Sequence, residues 1–508
     1  MKKSLRLCAV CLTLMLLQGC ASPRALPQDS ATLPPYEVSF TAPVGQVDEQ
    51  RTAQIQLFLP SLDGTYLVSV SQKASLSPFD WHADALLSLL FAYEGPEAQP
   101  LPKADSLVLK NPVEISCGVA TVDLKPQALK LSHEELYTVF RAIANTLCQC
   151  DGISSVNLLI DGTQPGLSDS GYTPMGALTM HPADDLGALW SRAITPVTAQ
   201  DGTQKLTQDV SLYFPAKGGK GVLCESRILT FSHIALPHMA RTLLDALSDG
   251  PRLLEGTADY PALHSYLTTE PEIRETDGQK VLSLRFSQDL NAALLENGIT
   301  RSCMAASLVY TMTTYLPGIR GVEILIGDEL LTSLTPEGTY RGAGERIYFT
   351  NGIMEREKFG HFLLSQATLY FAKNDQLVPV RRSLPYDVCC SADVLLQALM
   401  QGPDFYDTGD RDLKAVMAPG CGAGDILGTG YAPGNVVLIN LTDRFMDLCS
   451  GMNETQERLM VYAMVNTLTE IESMHEVCFF ADSVQVPVFA SHISMSGTFL
   501  RNTDIIAR

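Results

Sequence analysis

The residues most able to do chemistry are the cysteines, of which the 508-residue chain has 13. Cys8, Cys11 and Cys20 fall in the first twenty residues, and ten more run from Cys117 to Cys478. A structural zinc site needs thiolates paired at a Cys-x-x-Cys spacing, and no such pair exists among the ten cysteines from Cys117 to Cys478, so zinc is not expected. Cys389 and Cys390 are adjacent, and Cys148 and Cys150 are two apart on an expected helix, both poor geometries for a direct bridge. Free, mostly buried thiols are the expectation, with Cys150 a small core residue. The run Gly420-Cys421-Gly422-Ala423-Gly424 through Gly434 has the composition of a phosphate cradle. It leads into a strand rather than a helix and lacks a closing Lys-Ser/Thr, which makes it a plain loop. His133, His181, His264, His361 and His475 form no His-Glu-x-x-His or other spaced pair. No catalytic, metal or cofactor-binding residue is expected from these patterns.

Cys20 is the exception. Lys2, Lys3 and Arg6 precede an apolar run from Leu7 to Leu17, too short for a spanning helix of about 20 residues but laid out like a signal peptide. Its ending, Leu17-Gln18-Gly19-Cys20, resembles the lipobox of bacterial lipoproteins, where small residues admit the peptidase at a lipid-modified cysteine. The resemblance implies a lipoprotein signal peptide over residues 1–20, cut so that Cys20 is retained and carries the lipid, with a plain secretory cut near Ala21 as the alternative. Residues 21–51 hold Pro23, Pro27, Pro34, Pro35 and Pro43 among polar residues, a composition suited to an extended tether.

The elements that must position any site come in three copies. An apolar helical stripe at Ile143, Thr146/Leu147 and Cys150 feeds a strand ending Asn157-Leu158-Leu159-Ile160-Asp161-Gly162. The same frame recurs at Val309, Met312/Thr313, Leu316 and at Met464, Thr467/Leu468, Ile471. Copies stand roughly 155 to 166 residues apart, far beyond a solenoid period of about 20–50 residues, so each copy is a domain. Each opens with an alternating strand (Ile55–Pro60, Val210–Pro215, Ala367–Ala372), turns at Asp63-Gly64, Gly218-Gly219 or Asn374-Asp375, and continues as a second strand, which predicts a hairpin. A helix closing in Gly-Pro follows, at Gly95-Pro96, Gly250-Pro251 and Gly402-Pro403, where Gly takes the left-handed position and Pro stops the helix. Then come a third strand (Val122-Asp123-Leu124, Leu284-Arg285-Phe286, Ile439-Asn440-Leu441), the core helix and the closing strand. Gly176 and Gly497 share a column in an expected final hairpin. The fold class is α/β (α+β): three tandem small two-layer modules, each a mixed sheet packed on about two helices, over residues 52–200, 206–360 and 364–508.

Composition agrees with this reading. Hydrophobic residues make up 46% and charged residues 18%, enough to bury a core in each module. The net charge of −20 opposes nucleic acid and anionic lipid surfaces as direct partners.

The arrangement resembles the GerMN domain of sporulation and germination lipoproteins. The residues that carry the resemblance are the opening Leu-Tyr-Phe-Pro-type strand, the helix closing in Gly-Pro, Val122-Asp123-Leu124, and the ending Thr146, Leu147, Val156, Ile160, Asp161, Gly162. The resemblance implies a fold similar to the ring-building motif. It also implies a non-enzymatic role in sporulation, germination or envelope assembly, with envelope or sporulation proteins, or cell-wall material, as partners. The chain departs from the family's usual pair of modules in having three, and Arg285 and Asn440 replace Asp123, which puts a shared role for that aspartate in doubt. No acid, base or nucleophile recurs in all three copies. The expectation is a lipid-anchored protein on the extracytoplasmic face of the cell membrane, acting as an interaction scaffold. A solute- or wall-binding lipoprotein is the alternative, which a deep interdomain pocket would favour, and a wall hydrolase would need converging ionisable groups in a cleft.

Overall fold

The first module begins with a ten-residue antiparallel hairpin, β1 (Arg51–Pro60) and β2 (Leu67–Leu76), in register from Arg51↔Leu76 to Pro60↔Leu67. The computed structural model describes residues 51–76, 82–168, 173–181, 185–195, 197–198, 204–276, 278–432, 434–485 and 487–507, all in one compact unit. The expected leader, Cys20 and the tether up to residue 50 lie outside the described residues. After α1 (His82–Phe91), β3 (Glu114–Ser116) pairs antiparallel with β4 (Val119–Leu124). Helix α2 (His133–Leu147) then carries the chain across to β5 (Ser155–Ile160), which lies parallel to β4. Parallel neighbours require such a crossover, because a tight turn delivers only an antiparallel strand.

The second module repeats the order: hairpin β6 (Gln204–Pro215) and β7 (Val222–Phe231), α3 (Leu236–Ser248), antiparallel β8 (Glu272–Thr276) and β9 (Gln279–Phe286), crossover α4 (Arg301–Tyr315), and β10 (Ile319–Ile326) parallel to β9, with β11 (Ile353–Glu355) on its outer edge. The third has hairpin β12 (Leu364–Lys373) and β13 (Gln376–Pro385), α5 (Ala392–Met400), antiparallel β14 (Ile426–Ala432) and β15 (Val436–Leu441), then α6 (Asp443–Cys449) and α7 (Glu454–Leu468). Its β16 (Glu476–Ala481) lies parallel to β15 and β17 (Phe499–Leu500) lies antiparallel to β16. Each module is therefore a two-layer α/β unit, as the sequence predicts. Modules 1 and 2 have separate apolar cores, although Val119 of module 1 joins that of module 2.

The three crossover helices start by the same physics with different residues. Ser132 and Glu135 form a reciprocal capping box on α2, Asn453 and Gln456 do so on α7, and the Thr300 side chain accepts from Cys303 N on α4. Every residue of α4 from Ser302 to Tyr315 is buried. Module 1 covers part of this central helix, so its polar positions face neighbours rather than water.

Four sequence expectations change. Gly250 and Gly402 follow their helices in the left-handed region, φ 74° and 80°, as C-terminal stops. Gly95 does not: α1 ends at Phe91, and a Cβ on Gly95 would lie 2.5 Å from the Tyr93 hydroxyl, so close approach rather than helix termination requires glycine there. The repeat frame in copy two shifts by one residue. Phe58 N donates to Thr146 Oγ1 at 3.1 Å and Tyr213 N donates to Thr311 Oγ1 at 3.1 Å. Thr311-Met312, not Met312-Thr313, is thus the counterpart of Thr146-Leu147. These threonines satisfy edge N–H groups of the first hairpin strand, which would otherwise be left unpaired where the helix covers them.

Cys150 is half-buried at the margin of its module's core rather than inside it. The final hairpin is instead a short return along the closing strand: Leu178 bridges Val156, and Leu500 pairs with Glu476. Each second hairpin strand is also bridged, at or beside its start, by chain that follows the same module's closing strand, through Tyr66↔Asp185, Val222↔Leu363 and Leu377↔Ile506. No helix among the described residues is long and apolar enough to cross a membrane.

Candidate functional site

The three modules meet at the segment Glu114-Ile115-Ser116-Cys117-Gly118. Ser116 pairs with Val119, which leaves Cys117 and Gly118 as a two-residue turn with φ 49° and 83°. Positive φ at both positions matches the strand twist of a tight hairpin and projects Ser116 to the end of β3. Ser116 is 2% exposed. Its hydroxyl donates to Leu364 O of module 3 at 2.5 Å and accepts from Cys224 N of module 2 at 3.0 Å. Cys117 N donates to Ser365 Oγ at 3.0 Å. One serine thereby joins three modules.

Charged side chains brace this junction. Arg356 is buried, pairs through Nη2 with Glu114, donates from Nη1 to Thr314 Oγ1 at 2.7 Å, and stacks 4.1 Å from the Tyr310 ring centre. Burial works against its charge, but the Glu114 carboxylate outweighs that and raises its pKa. Asp161 receives Lys110 at 2.7 Å and Arg320 of module 2 at 3.2 Å, while Arg320 also holds Glu355 at 3.1 Å. The Lys110 bond, then Arg320, keeps the Asp161 carboxyl below its usual range. Between modules 2 and 3, buried Lys220 meets Asp404 at 2.7 Å, Arg341 meets Asp387 at 2.6 Å, and Tyr340 OH donates to Ser383 O at 2.7 Å. Gly221 lets this contact close, since a Cβ there would sit 2.9 Å from Leu364 Cγ of module 3 as well as 2.2 Å from Phe362 O.

A cavity of about 770 Å³ opens beside the junction, lined from all three modules. Four thiols face it, those of Cys117, Cys150, Cys389 and Cys390, with Leu254 and Glu472 on its walls. Cys389 Sγ and Cys390 Sγ lie 3.7 Å apart. Burial pushes the Cys117 thiol up to about 11 and the Cys150 thiol up to about 12, so both stay protonated and are poor nucleophiles near neutral pH. Two of the cavity carboxylates have cationic partners, Glu470 with Arg501 at 2.5 Å and Asp387 with Arg341. Contact with Cys389 lowers the Cys390 pKa, which makes Cys390 the exception among the four; the rest of the lining suits binding better than proton transfer or nucleophilic attack.

Asp123 accepts from Gly162 N at 2.9 Å, and Asn440 accepts from Ser483 N at 2.9 Å in the equivalent turn of module 3. The shared task is to hold the turn after the closing strand, which needs an acceptor but no charge. Arg285 replaces it in module 2, which keeps only the backbone bond common to all three turns, Gly327 N to Phe286 O at 2.8 Å, matching Asp161 N to Leu124 O and Asp482 N to Leu441 O. The glycine-rich run is a packed loop around Asp425, which is 1% exposed. His181 exchanges backbone hydrogen bonds with Asn145, and His264 meets Asp245 at 3.2 Å. Among the described residues, no cluster of three or more His, Cys, Asp or Glu side chains is arranged to hold a metal ion.

Two positions escaped the sequence reading. Asn145 clasps the backbone of His181, and Asn466 clasps Asn502 in the same way, with bonds of 2.9 to 3.1 Å. The repeated Asn-Thr-Leu triplet at 145–147 and 466–468 was the available signal. The junction segment had none, because its contacts differ in each module.

A family model named Germane, described as sporulation and spore germination, matches residues 56–165, 211–332 and 368–486, more than half of the chain. No curated protein matches the chain. Among solved structures, the tandem GerMN domains of the sporulation protein GerM from Bacillus subtilis align at 17% identity with a TM-score of 0.23, covering 60% of this chain and 99% of that one. The first GerMN domain of the same protein aligns at 20% identity with a TM-score of 0.17, covering 26% of this chain and 96% of that one.

Proposed function

Because the chain belongs to the Germane family of sporulation and spore germination, we propose that it is a membrane-anchored extracytoplasmic lipoprotein acting as a non-enzymatic scaffold. Its setting is sporulation, spore germination or cell-envelope assembly, with lipid on Cys20 and residues 21–50 as the tether, since Arg51 already belongs to β1. Its partners are envelope or sporulation proteins, or cell-wall material. The observation that carries this reading is where the buried and half-buried charge sits: Arg356, Lys220 and the half-buried Arg320 brace one module against another instead of converging on a reactive centre. Bracing of this kind holds three surfaces at fixed angles, which is what a scaffold requires. The net charge of −20 argues against nucleic acid among the partners.

Two experiments test it. Wild-type protein should partition into the detergent phase and Cys20→Ala should not; unchanged partitioning of the variant would remove the lipoprotein assignment. Pulldown from intact envelopes of growing and sporulating cells should recover envelope proteins or wall fragments with the wild type, and their absence in both would remove the scaffold assignment. The cavity supports a second reading, capture of a small solute. A solute that raises Tm in the wild type but not in Leu254→Arg would favour it.

A further inference from the structure

Module 3 contains a pair of thiols that the scaffold role does not use. Cys421 is half-buried in the glycine-rich loop, and Cys449 is the buried last residue of α6. The loop is fastened to that helix on both sides of Cys421. Arg444 Nη1 reaches Asp425 Oδ1 and Oδ2 at 2.6 and 2.8 Å, and Arg444 Nη2 donates to Gly420 O at 3.0 Å. Gly422 N donates to Asp425 Oδ2 at 2.9 Å, and Leu448 comes within 3.7 Å of where a Cβ on Gly420 would stand. These bonds lay Cys421 over the end of α6, beside Cys449. Behind Cys449 is Met460 Sδ at 3.6 Å, a thioether that cannot compete for exchange. The contact with Cys449 lowers the Cys421 pKa against burial and the Asp425 carboxylate, with the Arg444 guanidinium a smaller help, and the Cys449 pKa is raised.

We propose that Cys421 and Cys449 are a redox-active pair that closes to an intramolecular disulfide on meeting a small-molecule disulfide oxidant. Cys421 thiolate attacks one sulfur of the oxidant R–S–S–R, forming Cys421–S–S–R and releasing one RS⁻. Cys449, its proton passing to solvent, attacks the Cys421 sulfur and releases the second RS⁻. The two cysteines are oxidised by two electrons and the oxidant is reduced to two thiols. The other close pair, Cys389 and Cys390, is adjacent in sequence and poorly placed for a bridge. The Cys421–Cys449 bond would lock the glycine-rich loop to α6, an effect independent of whether Cys20 is lipidated.

The test uses the full chain, reduced, freed of reductant, equilibrated with excess oxidised glutathione, then denatured and alkylated with N-ethylmaleimide. The wild type should lose two maleimide adducts relative to the reduced sample, and a non-reduced digest should contain a peptide joining Cys421 to Cys449. Cys449→Ala should instead retain glutathione on Cys421. A wild-type digest without that cross-link, or with glutathione persisting on Cys421, would overturn the proposal, as would a bridge between any other pair in its place. The wild-type digest decides the matter even if the alanine variant fails to fold.

Discussion

Ser116→Ala is the sharpest probe of the junction, because it deletes one oxygen atom and leaves the Cβ packing in place. That oxygen accepts from Cys224 N and donates to Leu364 O, and Cys224 and Leu364 are both 0% exposed. The alanine variant therefore strands a buried donor and a buried acceptor, each at about 1–3 kcal/mol, for a total of about 2–6 kcal/mol. A domain's whole stability is about 5–15 kcal/mol, so the loss is a large fraction of it. With a urea dependence of about 1–3 kcal/mol per M, the unfolding midpoint should fall by about 1 M or more. Amide exchange should speed up in β3, β7 and β12 together, since one hydroxyl touches all three modules. Ser154→Ala is the control: its hydroxyl donates to Gly118 O at 3.0 Å but is exposed, and surface substitutions stay within about 0.5 kcal/mol. A Ser116→Ala midpoint matching that of Ser154→Ala would refute the three-way junction.

Other expectations follow the same geometry. Arg356→Met should cost about 3–5 kcal/mol by leaving Glu114 without its partner, and the double variant Arg356→Met/Glu114→Leu should recover much of it; equal losses for single and double variants in urea melts would contradict the pairing. Leu147→Asp and Leu468→Asp place a charge in cores where both leucines are 0% exposed, at several kcal/mol. Limited proteolysis with mass mapping should show loss of the 52–200 or the 364–508 fragment respectively, and loss of all three modules from either change would mean one continuous core. Asp123→Asn keeps the acceptor for Gly162 N, as Asn440 does for Ser483 N. Burial first, opposed by the Gly162 N–H, raises the Asp123 pKa, so ionisation destabilises the native state as pH rises through that value. The variant should therefore equal or exceed wild-type stability at pH 7 and lose that advantage below about pH 4, where the wild-type aspartate also becomes neutral; a midpoint at pH 7 lower by more than about 1 kcal/mol would show that charge, not acceptance, matters.

What the sequence made legible was whatever the three copies do alike. The hairpins, the parallel pair and the crossover helix each bury one face within a module, so period and turn chemistry announce them at Phe58-Leu59-Pro60, Val122-Asp123-Leu124 and Leu147. The frame slipped in copy two because α4 is buried along nearly its whole length, and a helix without a polar face shows no stripe by which to align it. Gly95 was misread because glycine serves close approach as readily as helix termination, and the composition around it is the same for both. The junction was illegible for a different reason. Ser116, Arg356 and Lys220 act between copies, each against a different surface, so repetition carried no trace of them. Cys117 and Cys389, far apart in sequence, meet at one cavity only because the modules dock there.

The bridge that each second hairpin strand takes from later chain has a consequence for the order in which the protein can be made. Tyr66 waits for Asp185, Val222 for Leu363 and Leu377 for Ile506, so no hairpin is latched until its own module has been threaded through. At about 5–20 residues per second of synthesis, N-terminal units fold before C-terminal ones exist. The segment that latches module 2, Leu363, runs directly into Leu364, the first residue of β12. Latching module 2 therefore lays down the opening strand of module 3, whereas Asp185, the latch of module 1, lies well before β6 begins at Gln204. At the step from the second module to the third, assembly in chain order acts as a ratchet whose click secures the unit behind and sets the starting edge for the unit ahead.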